Sequence, residues 1–393
     1  MPKEESLLPL KGLLFSFHAS NTIIISFLPL YLQYKGLDGK EIGWVLAIGP
    51  LAAIISQPFW GYMSDKYQTV KRMLLICIVG LLISSTVFFQ MNLFGPLLLM
   101  GFVFYFFTSP IGALGDSLAQ RRASMLGISF GGIRTWGSIG FATSSLVMGE
   151  VLSAVGIEYI MWPYLLIGLA ALFVCFSLTD IKVKTSTKIQ LKDVKQLFQN
   201  RPFFIFLFLI MFVTLTHRTN DSFIGLYIDQ LGGSEGLIGL SWFIGVASEA
   251  LVFALAGVWF RRYHPFVFII AAGLLYSIRW FIYAAIDVPI LIFAFQFMHG
   301  LTFGVFYVTA FDYITRLIPT TLQATGHLMF VTVFFGISGI IGSLLGGALI
   351  DSFGGGTLYF VLGMIALIGT GLLTVYHILP YGKEMVVKPN VRG

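Results

Sequence analysis

The chain has 393 residues, of which 57% are hydrophobic and 11% are charged, and its formal net charge is +6. A soluble protein of this length needs far more polar surface, so the composition excludes a soluble globular domain and indicates a membrane protein. The basic residues fall between apolar runs rather than on one face, so the positive charge does not indicate nucleic-acid binding.

Twelve apolar runs follow one another, each long enough to cross the hydrocarbon core as a helix of about 20 residues. We expect helices at 10–34, 40–63, 72–92, 95–119, 127–153, 158–180, 202–229, 235–260, 264–285, 288–315, 322–350 and 357–380. Cys77 and Cys175 fall inside the third and sixth runs, so we expect no disulfide framework. The first run lacks a small-residue cleavage site, which predicts that no signal peptide is removed.

An internal repeat divides this series of helices. Segment 27–61 aligns without a gap on segment 223–257. The residues that recur are Phe27, Leu30, Tyr31, Gly36, Ile42, Gly43, Ile48, Gly49 and Gly61, matched by Phe223, Leu226, Tyr227, Gly232, Ile238, Gly239, Ile244, Gly245 and Gly257. Duplicated helical membrane chains are typical of transporters. We predict an all-α integral membrane fold of twelve transmembrane helices in two six-helix halves, residues 1–180 and 202–393, joined by a central loop at 181–201.

The predicted turns differ in charge on the two sides of the membrane. The even-numbered turns carry basic residues, among them Lys66, Lys71, Arg72, Arg121, Arg122, Arg261, Arg262 and Arg316. The odd-numbered turns carry mainly acids, namely Asp38, Glu41, Glu150, Glu158, Asp229, Glu235, Asp287 and Asp351. The positive-inside rule predicts a multi-pass protein of the cell membrane with the termini, central loop and even-numbered turns in the cytoplasm. The central loop fits either a solvated linker or an amphipathic helix on anionic lipid.

Three motifs resemble known transporter sequences. The segment Gly61-Tyr-Met-Ser-Asp65-Lys66, followed by Lys71 and Arg72, resembles the loop 2–3 signature of the major facilitator superfamily. Segments 27–32 and 57–66 resemble the lactose permease branch of proton symporters. The stretch from Arg134 to Phe141 resembles the helix 5 signature of the phenylpropionate-permease-like and nucleoside-permease groups. The resemblance covers essentially the whole chain and implies the major facilitator fold.

In that superfamily the loop 2–3 acid bonds to neighbouring basic groups and helix ends at the cytoplasmic face. The resemblance therefore implies a gate formed by four residues, namely Gly61, Asp65, Lys66 and Arg72. An ion pair that breaks and re-forms biases two conformations against each other. The second repeat has Arg261 and Arg262 in place of the acid and its neighbour, so we expect the gate to be one-sided. The alternative is a simple determinant of topology.

Ionisable residues inside membrane helices are costly and mark functional sites. The candidates inside the predicted helices are His18, Asp116, Arg134, His217, Arg218, Asp221, Glu249, Arg279, His299, Asp312 and His327. Lactose permease has a carboxylate and an arginine with the separation of Asp116 and Arg134, and there they bind substrate hydroxyls. The resemblance implies the same role here, with a structural pair between helices 4 and 5 as the alternative. Trp136 offers either a stacking face for the substrate or ordinary packing.

The resemblance also implies a proton-coupling network in the second half. Asp221, Glu249, Arg279 and His299 match positions where lactose permease keeps its coupling residues. An arginine that approaches and leaves Glu249 would load and release a proton there, and the alternative is a structural ion pair between Glu249 and Arg279. The family's proton-carrying carboxylate and its lysine partner are absent, because Thr302 and Gln296 stand at their positions.

We expect a proton-coupled symporter that imports a small organic solute by alternating access. Phe141 and Val252 replace sugar-binding residues of lactose permease, so galactoside specificity is doubtful and a sugar, a nucleoside or an aromatic acid remains open. The alternative is a proton-driven efflux antiporter, although the Gly-Pro motif of such exporters is absent from helix 5. No nucleophile–base spacing, metal-ligand cluster or phosphate loop occurs, so we expect no enzyme and no cofactor. The expected partners are solute, protons and lipid, and the chain is expected to be a monomer.

Overall fold

The computed structural model describes residues 6–180, 199–259, 264–318 and 322–379, and this part of the chain is almost entirely helical, without strands. The first ten long helices are α1 (Leu8–Tyr34), α2 (Gly39–Lys66), α3 (Val70–Gln90), α4 (Phe94–Leu126), α5 (Phe130–Val155), α6 (Met161–Phe176), α7 (Arg201–Gln230), α8 (Glu235–Trp259), α9 (Pro265–Ala284) and α10 (Pro289–Leu317). A final helical stretch runs to Ile378. Among the described residues, eleven segments are long and apolar enough to cross a membrane. The predicted all-α membrane fold is confirmed, whereas most of the central loop lies outside the described residues.

The final stretch contains a reversal at Gly354, whose φ of 78° and ψ of 171° interrupt the helix. Glycine adopts this backbone conformation without the steric cost of a Cβ. Four hydrogen-bonded pairs join this stretch to α7, in chain order Ser338 with Thr214, Gly342 with Thr219, Tyr359 with Asn220 and Tyr376 with Pro202. The chain therefore follows α7 in one direction before Gly354 and in the opposite direction after it. We call the two arms α11 (323–353) and α12 (355–378).

Helix α4 continues seven residues beyond the predicted end at 119. Residues 120–126 contain no glycine or proline, and the helix ends at Gly127, which takes a left-handed conformation with φ of 65° and donates its backbone N–H to the Ala123 carbonyl. Glycine is the residue that most readily ends a helix in this way. Arg121 and Arg122, which we placed in a turn, lie instead in the last turns of α4.

The two copies of the repeat make matching contacts. The Tyr31 hydroxyl donates to the Phe89 carbonyl at 2.6 Å. Its repeat mate, Tyr227, donates to the carbonyls of Tyr283 and Ile286 at 2.8 and 3.1 Å. In each case a tyrosine near the end of one helix ties it to the end of the helix two positions later. The sequence repeat therefore corresponds to repeated local structure.

Two glycine crossings join the repeats on one side of the membrane, which we call the odd-turn face because the odd-numbered turns lie there. A Cβ on Gly43 of α2 would lie 3.1 Å from the Gly347 Cα of α11. A Cβ on Gly239 of α8 would lie 3.0 Å from the Gly149 Cα of α5. Distances this short leave no room for a side chain, so α2 packs on α11, and α5 on α8, backbone against backbone.

Candidate functional site

The Asp116–Arg134 pair joins the middle of α4 to the first turns of α5. Arg134 Nε lies 3.0 Å from one carboxylate oxygen of Asp116 and 3.2 Å from the other. The two side chains are 36% and 33% exposed, so each has surface left for a ligand. A guanidinium offers five N–H donors and a carboxylate several acceptor positions, so the pair can bind neutral polar groups without losing its own contact. The structure brings together the two residues that the sequence predicted as neighbours.

Trp136 does not join this pair. It lies two residues after Arg134, which on a helix turns its side chain about 200° away. Its ring is 38% exposed and lies under Lys11 Nζ, 5.8 Å from the centroid. The structure therefore places Trp136 on the opposite face of α5 and does not support the stacking role that we predicted for it.

An ionisable network connects α7, α8 and α10. His299 Nε2 of α10 lies 3.6 Å from the Glu249 carboxylate of α8. Asp221 of α7 contacts its own helix neighbours, His217 Nε2 at 3.4 Å and Arg218 Nη1 at 2.7 Å. The rings of His217 and His299 are 5.5 Å apart, which links the two groups. Three of the four predicted coupling residues thus lie close together.

His217 and Arg218 are functional candidates that sequence reasoning did not assign to the network. Their spacing from Asp221, four and three residues along one helix, is the signal that would have identified them. The His217 ring also stacks on Phe303 of α10, with centroids 4.5 Å apart. Because His217 is almost fully buried, its contacts hold α7 against α10 at the level of the network.

Arg279 has different partners from those predicted. It is fully buried and donates hydrogen bonds to the Tyr283 hydroxyl, to Thr302 Oγ1 at 3.2 Å and to Gln296 Oε1. Within the described ranges, no carboxylate lies within 4 Å of it, so the predicted ion pair with Glu249 is not formed in this conformation. The reason is local. Gln296 and Thr302, which stand where the family has charged groups, supply neutral oxygens that satisfy the guanidinium.

A π-helical turn at Gly300–Gly304 follows His299 directly. The Gly300 N–H donates to Ser248 Oγ at 2.9 Å, and a Cβ on Gly300 would lie 2.9 Å from the Glu249 nitrogen. The absence of a side chain therefore lets α10 touch α8 beside the Glu249–His299 contact. Such π-turns add a residue to the helical register and often occur at functional sites.

The predicted gate residues lie at the other side of the membrane, the even-turn face. Asp65 lies 3.4 Å from Arg121 of α4, as the resemblance implied for a neighbouring basic group. Lys66 Nζ instead lies over the ring of Tyr67, and a Cβ on Gly61 would meet nothing within 4 Å. Arg72 lies in the first turn of α3, where its N–H donates to the Thr69 hydroxyl at 3.2 Å. Arg261 and Arg262, the second-repeat counterparts, lie outside the described residues.

Asp180 is an even-turn residue that sequence reasoning missed. Its carboxylate, just after α6, accepts hydrogen bonds from the backbone N–H groups of Val70 and Lys71 at 3.0 and 3.4 Å and from the Thr69 hydroxyl. It thereby satisfies free N–H groups at the start of α3 and meets the positive end of the helix dipole. Lys71 Nζ of α3 adds a second link to the end of α6 by donating to the Phe176 carbonyl at 2.6 Å. The signal was an acid at the last residue of the sixth predicted helix, directly before the basic residues of the central loop.

Replacing Asp180 by alanine is expected to destabilise the protein by about 1 kcal/mol, because the first turn of α3 loses its cap. Thermal unfolding can be followed with a thiol-reactive dye, since Cys77 and Cys175 are buried and become reactive only on opening. Glu158→Gln, an exposed acid on the odd-turn face, is the matched control. An unchanged midpoint for Asp180→Ala would contradict the capping role.

The chain matches the model of the MFS_1-like family over residues 7–361 and belongs to this family of major facilitator transporters. It is 28% identical over 370 residues to the uncharacterized transporter YwbF of Bacillus subtilis, and the alignment covers 93% of this chain and 92% of YwbF. It is 27% identical over 352 residues to the maltose permease of Geobacillus stearothermophilus, covering 89% of each. The crystal structure of the nucleoside transporter NupG matches with a TM-score of 0.85 at 17% identity, over 95% of this chain and 99% of NupG. The predicted resemblance is confirmed, and membrane transport rather than catalysis is the class of function.

Proposed function

We propose that the protein is a secondary active transporter that couples import of a small organic solute to proton entry. The solute is a sugar, a nucleoside or an aromatic acid bound at Asp116 and Arg134. The observation that carries proton coupling is the contact between Glu249 and His299, whose side chains are 23% and 7% exposed. Protonatable groups shielded in this way inside a membrane are typical of proton pathways.

The architecture that we propose for this activity has twelve spans in two halves, residues 1–180 and 202–393. The reversal at Gly354 supports counting α11 and α12 as separate spans. We further propose a monomer in the cell membrane, with both termini and the even-turn face in the cytoplasm. The excess of lysine and arginine in the even-numbered turns supports that orientation.

Alternating access requires that the halves separate at one face while they close at the other. The two glycine crossings support a conformation that is closed at the odd-turn face. At the same face Lys40 Nζ of α2 lies 3.4 Å from the Asp351 carboxylate of α11. The Asp65–Arg121 pair of the even-turn face instead ties α2 to α4 within one half. Asp65 would act there by setting the position of α2 as the halves move.

Gly43→Val is expected to prevent closure of the odd-turn face and to lower transport at least about tenfold, because a side chain at 43 would strike the α11 backbone. In a background with Cys77→Ser and Cys175→Ser, the pair Lys40→Cys and Asp351→Cys should cross-link readily, and Gly43→Val should suppress that cross-link. Gly95→Val is the control, since a Cβ there would meet nothing within 4 Å. Undiminished cross-linking would refute the closing role of this crossing.

Uptake into proteoliposomes tests the proposed function. The solutes are maltose, uridine and 3-phenylpropionate, each offered with an inside-alkaline pH gradient and without one. Accumulation of one solute above its external concentration, abolished by a protonophore, is the expected result. Expulsion of dyes driven by the same inside-alkaline gradient, with no uptake of any of the three, would instead establish the efflux antiporter. Equal uptake with and without the pH gradient would exclude proton coupling.

A further inference from the structure

His18 of α1 lies beside the Asp116–Arg134 pair and carries an unsatisfied ring nitrogen. Its Nε2 is buried and has no hydrogen-bond partner in the part of the chain that the structure describes. The contact with Arg134 depends on Gly137 of α5. A Cβ on Gly137 would lie 2.5 Å from His18 Cδ2 and 2.5 Å from Arg134 Nη1. The missing side chain at 137 therefore creates a niche that the imidazole and the guanidinium share.

We propose that His18 is a third substrate-binding side chain, which completes the Asp116–Arg134 pair into a site for two neighbouring hydroxyl groups of a neutral solute. This inference rests on the proposed transport function and adds the chemistry of the solute. Sugars and the ribose of nucleosides carry such hydroxyl pairs, whereas an aromatic acid offers a carboxylate.

The charge of the site favours hydroxyls over a carboxylate. The Arg134 guanidinium is already neutralised by Asp116 at 3.0 Å, so an incoming anion would meet the Asp116 carboxylate as well. A hydroxyl instead donates to Asp116 and accepts from Arg134 at the same time. His18 Nε2 donates or accepts according to its tautomer, so it can pair with the second hydroxyl. Because this nitrogen is buried in the present conformation, the site must open before a solute reaches it.

Packing alone does not require a histidine at position 18. Its ring meets the Phe17 ring edge-on, with centroids 5.2 Å apart, and its backbone carbonyl accepts from the Thr22 hydroxyl at 2.8 Å. A phenylalanine would keep the ring contact and the carbonyl while removing both nitrogens. A buried polar atom without a partner is costly in a protein interior, and a bound hydroxyl would relieve that cost.

The first test compares His18→Phe with His18→Gln in the proteoliposome assay. For a hydroxylated solute we expect His18→Phe to raise KM about tenfold, the effect of one lost hydrogen bond of about 1.4 kcal/mol, with His18→Gln closer to the parent. If uridine is the solute, the parent should prefer it to 2′-deoxyuridine, and His18→Phe should lose that preference. Equal KM values for the parent and His18→Phe would overturn the role of His18. Transport of 3-phenylpropionate in place of maltose and uridine would overturn the solute class.

The second test uses the niche itself. Gly137→Ala should displace His18 or Arg134 and weaken solute affinity, yet fold normally, because the atoms it meets belong to side chains and not to the backbone. Gly132→Ala, on the same helix, is the matched control, since a Cβ there would meet nothing within 4 Å. Equal affinity of the two variants would show that the niche does not serve the solute.

A measurement without solute separates this inference from the proposed function. In a background with Cys77→Ser and Cys175→Ser, His18→Cys should react with N-ethylmaleimide in the solubilised protein, because the conformation that admits the solute opens position 18 to water. Leu152→Cys, buried in α5 away from the site, should stay unreactive. An unreactive His18→Cys would refute the placement of His18 at the site. If the parent transports none of the three solutes, the proposed function fails, and reactivity at position 18 still decides whether His18 faces water.

Discussion

Glu249→Gln is expected to abolish accumulation against a gradient while solute exchange across the membrane continues. The amide keeps the size of the side chain and its position beside His299, but it cannot take up and release a proton. The solute would then equilibrate, and the internal concentration would fall to the external one. The first measurement is the ratio of internal to external solute at a fixed inside-alkaline pH gradient. The second is counterflow, in which labelled external solute exchanges for unlabelled internal solute.

Asp312→Asn is the control for this experiment. Asp312 lies on α10 as an exposed acid, paired at 2.7 Å with Arg316 one turn later, so its loss should leave the accumulation ratio unchanged. Full accumulation by Glu249→Gln would rule out Glu249 as the proton carrier and leave Asp221 as the next acid to replace. Loss of both accumulation and exchange would point to solute binding or folding rather than coupling.

Arg134→Ala is expected to weaken solute binding by about two orders of magnitude. The change removes charge-assisted hydrogen bonds to the solute and also leaves the Asp116 carboxylate inside the membrane without its partner. The parent and the variant would be compared by equilibrium binding of the transported solute to purified protein, with thermal unfolding as the check on folding.

Trp136→Phe serves as the control for Arg134→Ala. Because the indole lies on the opposite face of α5 beside Lys11, we expect less than about a twofold change in affinity. An unchanged affinity in Arg134→Ala would refute the substrate-binding role of this arginine. A large loss in Trp136→Phe would restore the stacking role that the sequence suggested.

Much of the fold follows from the chain's local properties. Each apolar run is long enough to predict a spanning helix, and the helix bounds agree with the structure to within a few residues over most of the chain. The largest difference is at the end of α4, because a stretch of polar residues without glycine or proline continues a helix beyond its apolar part. The repeat of Tyr31 in Tyr227 and of Gly43 in Gly239 also corresponds to matching contacts.

The sequence predicted which residues belong to the candidate site, but not which of them are in contact. The ionisable residues stand out inside apolar runs, and adjacency in sequence brings Asp116 and Arg134 together across one turn. The partner of Arg279 was not predictable, because it depends on how α9 and α10 are rotated and on the π-helical turn after His299. Similarly, only the close approach of α1 to Gly137 reveals His18 as a neighbour of Arg134.

The sequence by itself determined that this is a duplicated helical membrane protein of the major facilitator type, because apolar length, repeated glycines and charged turns are properties of the chain. It also predicted which charges lie inside the membrane. Only the tertiary structure decided which of them meet. Arg279 is satisfied by neutral oxygens, Glu249 meets His299, and Trp136 turns away from Arg134. The physical reason is that a side chain's partners depend on helix rotation and depth, which arise from packing between helices distant in sequence.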